Sequence, residues 1–171
     1  MRNPALSVLF AALCVASAAV ANDDVLRLSR DPANVVMPSL TYNGWNYSAL
    51  DQINRATVKK LSVAWTHPIE VLDAHEASPL VIGDTMYVVT PKPNYVYSLD
   101  LNRDGAINWV YRPVMDIVLA TAQACCGAQT RALYYAEGKI LYATLDGQVI
   151  ALNAKTGEEL WRTVGTDIVN G

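Results

Sequence analysis

The chain has no run of basic residues, no Gly-rich phosphate loop and no Gly-x-Ser-x-Gly elbow. The first absence argues against nucleic acid as a partner. The other two argue against phosphate-cradling chemistry and against a serine nucleophile of the hydrolase type. Histidine is scarce: His67 and His75 are the only two, and neither has a zinc-like spacing to cysteine or carboxylate. Both read as structural or surface residues. Cysteine is scarce too, with Cys14 near the start and Cys125 and Cys126 side by side.

Only one long apolar run occurs, at 5–20, behind Arg2 and ending in the small-x-small sequence Ala19-Val20-Ala21. That is the pattern of an export signal cleaved after Ala21. It is short for a membrane anchor, and Asn22, Asp23 and Asp24 follow it directly. Leu13 is too large for lipoprotein processing at Cys14. The expected division is a signal peptide at 1–21 and one mature domain at 22–171, delivered to the periplasm. Without Arg2 the mature chain has 12 basic and 16 acidic residues, a net charge of −4. Such a surface suits an exported protein and a basic protein partner. In an oxidising compartment a disulfide persists. Adjacent cysteines rarely bond to each other, so three states stay open on the residues alone: a strained Cys125–Cys126 bond, two buried thiols, or intermolecular bridges.

Residues 22–54 show little periodicity, and the stretch Leu50 to Val63 predicts one short helix, with Asp51 in its first turn and Lys59 and Lys60 in its last. Beyond it the pattern is β. Two segments match in detail. The first runs from Pro79 through Gly83, Tyr87 and Asp100 to Gly105 and Trp109. The second runs from Leu133 through Gly138, Tyr142 and Asn153 to Gly157 and Trp161. In both, Tyr stands four residues after the first Gly and Trp four after the second. Trp65, in Leu61-Ser-Val-Ala-Trp-Thr66, reads as the closing strand of an earlier unit, with Trp-to-Trp steps of 44 and 52 residues. Four-stranded repeats of roughly 40–50 residues indicate propeller blades. About two are present where a closed ring needs at least about four, so Gly171 is expected to be a truncation point.

Asp100-x-Asn102-x-Asp104-Gly105 copies the start of an EF-hand loop, but Tyr111 stands where the bidentate Glu belongs. The segment is read as a hairpin loop. Glu76, in His75-Glu-Ala-Ser-Pro79, lies at the mouth of a buried strand, and Arg131 opens another. Taken alone, both are surface residues.

Together, Asp51-Gln-Ile-Asn54, Val63-Ala-Trp-Thr66, His75-Glu-Ala-Ser-Pro79, Thr90-Pro-Lys-Pro-Asn94, Cys125-Cys126, Thr144-Leu-Asp-Gly147 and Ala151-x-Asn153-x-x-x-Gly157-x-x-x-Trp161 resemble the methanol and ethanol dehydrogenase family of quinoproteins. The last pattern resembles that family's tryptophan-docking motif. The resemblance implies an all-β fold, the N-terminal two blades of an eight-bladed propeller. It implies oxidation of a primary alcohol to an aldehyde with pyrroloquinoline quinone (PQQ), a calcium or lanthanide ion as Lewis acid, and electron transfer to a periplasmic cytochrome c. It also implies that Cys125 and Cys126 form an adjacent disulfide under the quinone, and that Glu76 and Arg131 hydrogen-bond its polar edge. The metal ligands and the catalytic Asp are expected beyond Gly171, so no catalytic or metal residue is assigned in the chain, and a homodimer is left open. The sequence departs from the family at Thr130-Arg131, where Asn-Arg is common, and in the small apolar stretch Asp116 to Ala124. A non-catalytic propeller scaffold and a non-functional gene remnant are the competing readings.

Overall fold

A computed structural model describes residues 22–123 and 129–166. The expected signal peptide and the cysteines Cys125 and Cys126 lie outside the described residues. Two four-stranded antiparallel sheets form the body. The first contains β1 (Leu80–Ile82), β2 (Thr85–Val89), β3 (Val96–Asp100) and β4 (Ala106–Tyr111). The second contains β5 (Tyr134–Ala136), β6 (Lys139–Ala143), β7 (Gln148–Asn153) and β8 (Glu159–Val164). Each is a meander in chain order, as the repeated turns demand.

The turns form where glycine is required. Gly83 and Gly138 sit at φ +57° and +74°, a region that costs other L residues about 1–2 kcal/mol. The EF-hand-like segment is a hairpin loop, as its position between two strands predicts. Asp100 caps it by accepting from Asn102 N at 2.9 Å, and Asp104 and Gly105 follow at φ 51° and 74°. Both sheets carry a register shift at equivalent places, Ser98/Leu99 against β4 and Ala151/Leu152 against β8. The repeat therefore extends to its irregularity, a kink that turns the strand bearing the tryptophan.

Central strands read as nearly continuous apolar runs because both of their faces are covered. Leu80, Val89, Val96, Leu133, Ile140, Ile150 and Leu152 are fully buried in one core shared by the two sheets. Tryptophans lock the units together. A Cβ placed on Gly105 would lie 2.6 Å from Trp65 Cε3, and one on Gly157 would lie 2.5 Å from Trp109 Cδ2. Each indole thus lies flat on a glycine of the next unit. Trp109 Nε1 and Tyr87 Oη both donate to Ala154 O, at 3.1 Å each.

Three expectations need correction. Leu50 to Val63 holds only a 3-10 turn at Val58–Lys60, with no side-chain cap on Thr57. The segment is exposed except for the half-buried Thr57, so no buried face supports a longer helix. Leu61–Thr66 forms no strand among the described residues, although Trp65 docks as a blade tryptophan should. Two helices were not anticipated. The first, α1 (Asp23–Leu28), is capped by Asn22, whose Oδ1 accepts from Asp24 N and Val25 N. The second, α2 (Ile117–Gln123), occupies the small apolar stretch whose pattern was unfamiliar.

Candidate functional site

Ser78 and Ala132 form a parallel bridge between the two sheets, just ahead of β1 and β5. Sheets that radiate from an axis come closest at their inner edges. The bridge therefore marks the first strand of each sheet as the axial one. Glu76 lies two residues before Ser78, and Arg131 one before Ala132, so both reach the same inner rim. Arg131 Nη1 stands 3.4 Å from Glu76 Oε2, with side chains 76% and 45% exposed. Two residues 55 positions apart in sequence are thus paired across the blades.

An exposed pair of this kind contributes only about 0–1 kcal/mol to stability. Its chemistry matters more than its energy. The Arg131 guanidinium has five donors in the fork geometry that suits a carboxylate, and among the described residues its one ionic partner is Glu76. Glu76 offers an acceptor beside them.

A layer of buried polar groups lies at the same end of the sheets. β5 and β6 run antiparallel, so the start of β5 and the turn after β6 share one end. That turn, Thr144 to Gly147, contains Asp146. Burial pushes the Asp146 carboxyl up, but hydrogen bonds from Thr144 Oγ1, Asp116 N and Gln148 Nε2 outweigh it and hold the group below the usual carboxylate range. The matching turn of the first sheet contains Asn94, which is fully buried.

The histidines behave as expected of structural or surface residues. His67 packs edge-on to Tyr97 with centroids 5.4 Å apart, and His75 is exposed. Among the described residues no group of three or more His, Cys, Asp or Glu side chains could hold a metal ion. No described helix is long and apolar enough to cross a membrane.

Meander sheets that radiate from a shared edge, each receiving the tryptophan of the unit before it, are neighbouring blades of a β-propeller. Residues 38–167 match the family model of the PQQ glucose/ethanol/alcohol dehydrogenase β-propeller domain, and the chain belongs to that family. The lanthanide-dependent methanol dehydrogenase of Methylacidiphilum fumariolicum is 44% identical over 99% of this chain and 28% of its own length. Subunit 1 of the cytochrome c methanol dehydrogenase of Paracoccus denitrificans is 40% identical over 94% of this chain and 26% of its own. A solved europium-containing methanol dehydrogenase superposes with a TM-score of 0.82 at 46% identity, covering 85% of this chain and 25% of that one. The chain spans about a quarter of the length of the curated relatives it matches.

Proposed function

We propose that this chain supplies part of the cofactor site of an exported PQQ-dependent alcohol dehydrogenase. The observation that carries this reading is the Arg131–Glu76 pair, formed across two blades at their axial rim. PQQ bears three carboxylates and an ortho-quinone. Arg131 would give charge-assisted hydrogen bonds to a carboxylate, and Glu76 would accept from or share a proton with the same edge. Cys125 and Cys126, as an adjacent disulfide, would form the face beneath the ring. A quinone bound there would supply the hydride-accepting chemistry for a primary alcohol, and a calcium or lanthanide ion would supply Lewis acidity. The metal's ligands and the base that takes the hydroxyl proton would come from parts of the propeller outside this chain. Electrons would then pass to a cytochrome c, and residues 1–21 would direct the chain to the periplasm.

The test joins residues 22–166 to the complementary three quarters of the Methylacidiphilum fumariolicum enzyme. The chimera is expected to co-purify with PQQ and to oxidise methanol with an artificial electron acceptor. Arg131→Ala is expected to lower PQQ affinity by at least about tenfold, the loss of one charge-assisted contact worth roughly 1.5–3 kcal/mol. A folded chimera that retains no PQQ, or an Arg131→Ala variant with unchanged affinity, would sink the assignment.

A further inference from the structure

Between α1 and β1 the chain makes a turn at 41–44 that belongs to neither sheet. Gly44 N donates to Thr41 O at 3.0 Å and closes it. Thr41 Oγ1 donates to Asn43 Oδ1 at 2.6 Å and accepts from Trp45 N at 3.2 Å. Trp45 O, also at 3.2 Å, is the more distant acceptor for the same hydroxyl proton. Asn43 and Gly44 are exposed. Gly44 sits at φ +75°, and a Cβ placed on it would meet nothing within 4 Å.

An amide carbon is a weak electrophile and a backbone nitrogen a weak nucleophile. Here they are neighbours in the chain and need only close a small ring, so proximity offsets their low reactivity. Glycine leaves the attacking nitrogen unhindered. A donor already seated on Asn43 Oδ1 stabilises the negative charge that develops there during attack on Asn43 Cγ, and Thr41 supplies it. The turn bond from Gly44 N to Thr41 O opposes the attack and must open first. Other asparagines lack this combination. Asn46, Asn54 and Asn102 are exposed too, but Tyr47, Arg55 and Arg103 follow them. Asn94 is fully buried. Among the described residues Asn43 is the one asparagine that precedes glycine.

We propose that Asn43 is a self-modification site, at which Gly44 N displaces the side-chain amide with Thr41 as oxyanion donor. The Gly44 N–Asn43 Cγ bond forms and the Asn43 Cγ–Nδ2 bond breaks. The amide leaves as ammonia, taking the proton that Gly44 N gives up. Water from solvent then opens the cyclic imide at either carbonyl. The products are aspartate and isoaspartate, the second with one extra carbon in the backbone, and both carry a new negative charge. Thr41 and Tyr42 line a cavity of about 450 Å³ with Val36, Tyr134 and Leu141, so the charge arises beside a mainly apolar lining against β5.

The test is made on the full chain, incubated in mildly alkaline buffer, with each asparagine followed by peptide mass spectrometry. Peptide mapping separates Asn43 from Asn170-Gly171, which lies outside the described residues. Asn43 is expected to convert at least about tenfold faster than Asn46, giving isoaspartate as well as aspartate. Thr41→Val is expected to slow conversion at least about threefold in buffer, and to leave it unchanged in concentrated urea, where the turn is lost. Thr41→Ser keeps the hydroxyl and is expected to retain the wild-type rate. A merely structural Thr41 predicts the opposite sign, because losing its bond from Trp45 N frees the turn to open. Conversion no faster than at Asn46, or aspartate without isoaspartate, would overturn the site. So would Thr41→Val at or above the wild-type rate in buffer, or slowed equally in urea.

Discussion

Tyr111, Glu159 and Arg162 join the outer strands of the two blades. Tyr111 donates its hydroxyl to Glu159, and Arg162 reaches Glu159 through Nε at 3.0 Å and Nη2 at 2.7 Å. Burial first, then the hydrogen bond to Glu159, pushes the Tyr111 phenol up to about 12. Hydrogen bonds from Arg162 and then Tyr111 hold the Glu159 carboxyl below its ordinary value. The two shifts act in opposite pH windows. Glu159 favours the folded state above its unfolded value of 4.5, and that contribution is lost as pH falls through the depressed folded value. Tyr111 contributes below 10, and its contribution fades as pH rises through about 12. Thermal melts of wild type and Glu159→Gln should therefore differ at neutral pH and converge in acid. Equal melting points at pH 7 would show that the triad does not brace the blades.

Glu76 and Arg131 were legible as candidates through the resemblance, but their pairing was not, because sequence gives no distance across blades. Asn94 and Asp146 stood inside two motifs that carried the resemblance, Thr90-Pro-Lys-Pro-Asn94 and Thr144-Leu-Asp-Gly147. Small polar residues in turns are common enough that nothing marked them as buried.

At the scale of elements, the two repeats were readable because strand, glycine turn and tryptophan recur at fixed offsets. All eight described strands begin within those repeats, and β4 and β8 run two and three residues past their tryptophans. The unanticipated pieces are those that tertiary context decides. α1 has only six residues and depends on its Asn22 cap and on packing of Val25 rather than on periodicity. Residues 50–63 lack that support, and a favourable charge pattern did not suffice for a helix. The central strands carry the load. Leu152 is fully buried on β7, whereas Leu160 on β8 is 43% exposed. Leu152→Ala should cost about 2–5 kcal/mol in chemical denaturation, and Leu160→Ala about 1 kcal/mol or less. Similar losses would contradict the placement of the shared core.

At the scale of the molecule, many large apolar side chains are exposed on the described surface. Trp45, Tyr47, Ile53, Val63, Leu72, Val114 and Val118 are among the exposed large side chains. A surface of this kind favours association, and uncovered strand edges add to it. The chain expressed alone should show light scattering that rises steeply with concentration. In the chimera with the complementary propeller segment it should run as a defined species on size exclusion. A monodisperse, concentration-independent chain would mean that these side chains are covered in another way.

The tryptophan contacts run one way. Trp65 lies on Gly105 and Trp109 on Gly157, so each unit hands its indole forward to its successor. Gly157→Ala should cost about 2–4 kcal/mol, combining the positive φ with the displaced ring. The same lesion would appear as altered emission from Trp109, one unit upstream of the altered residue. Indole fluorescence would then act as an address system in which each blade's damage is announced by the one before it.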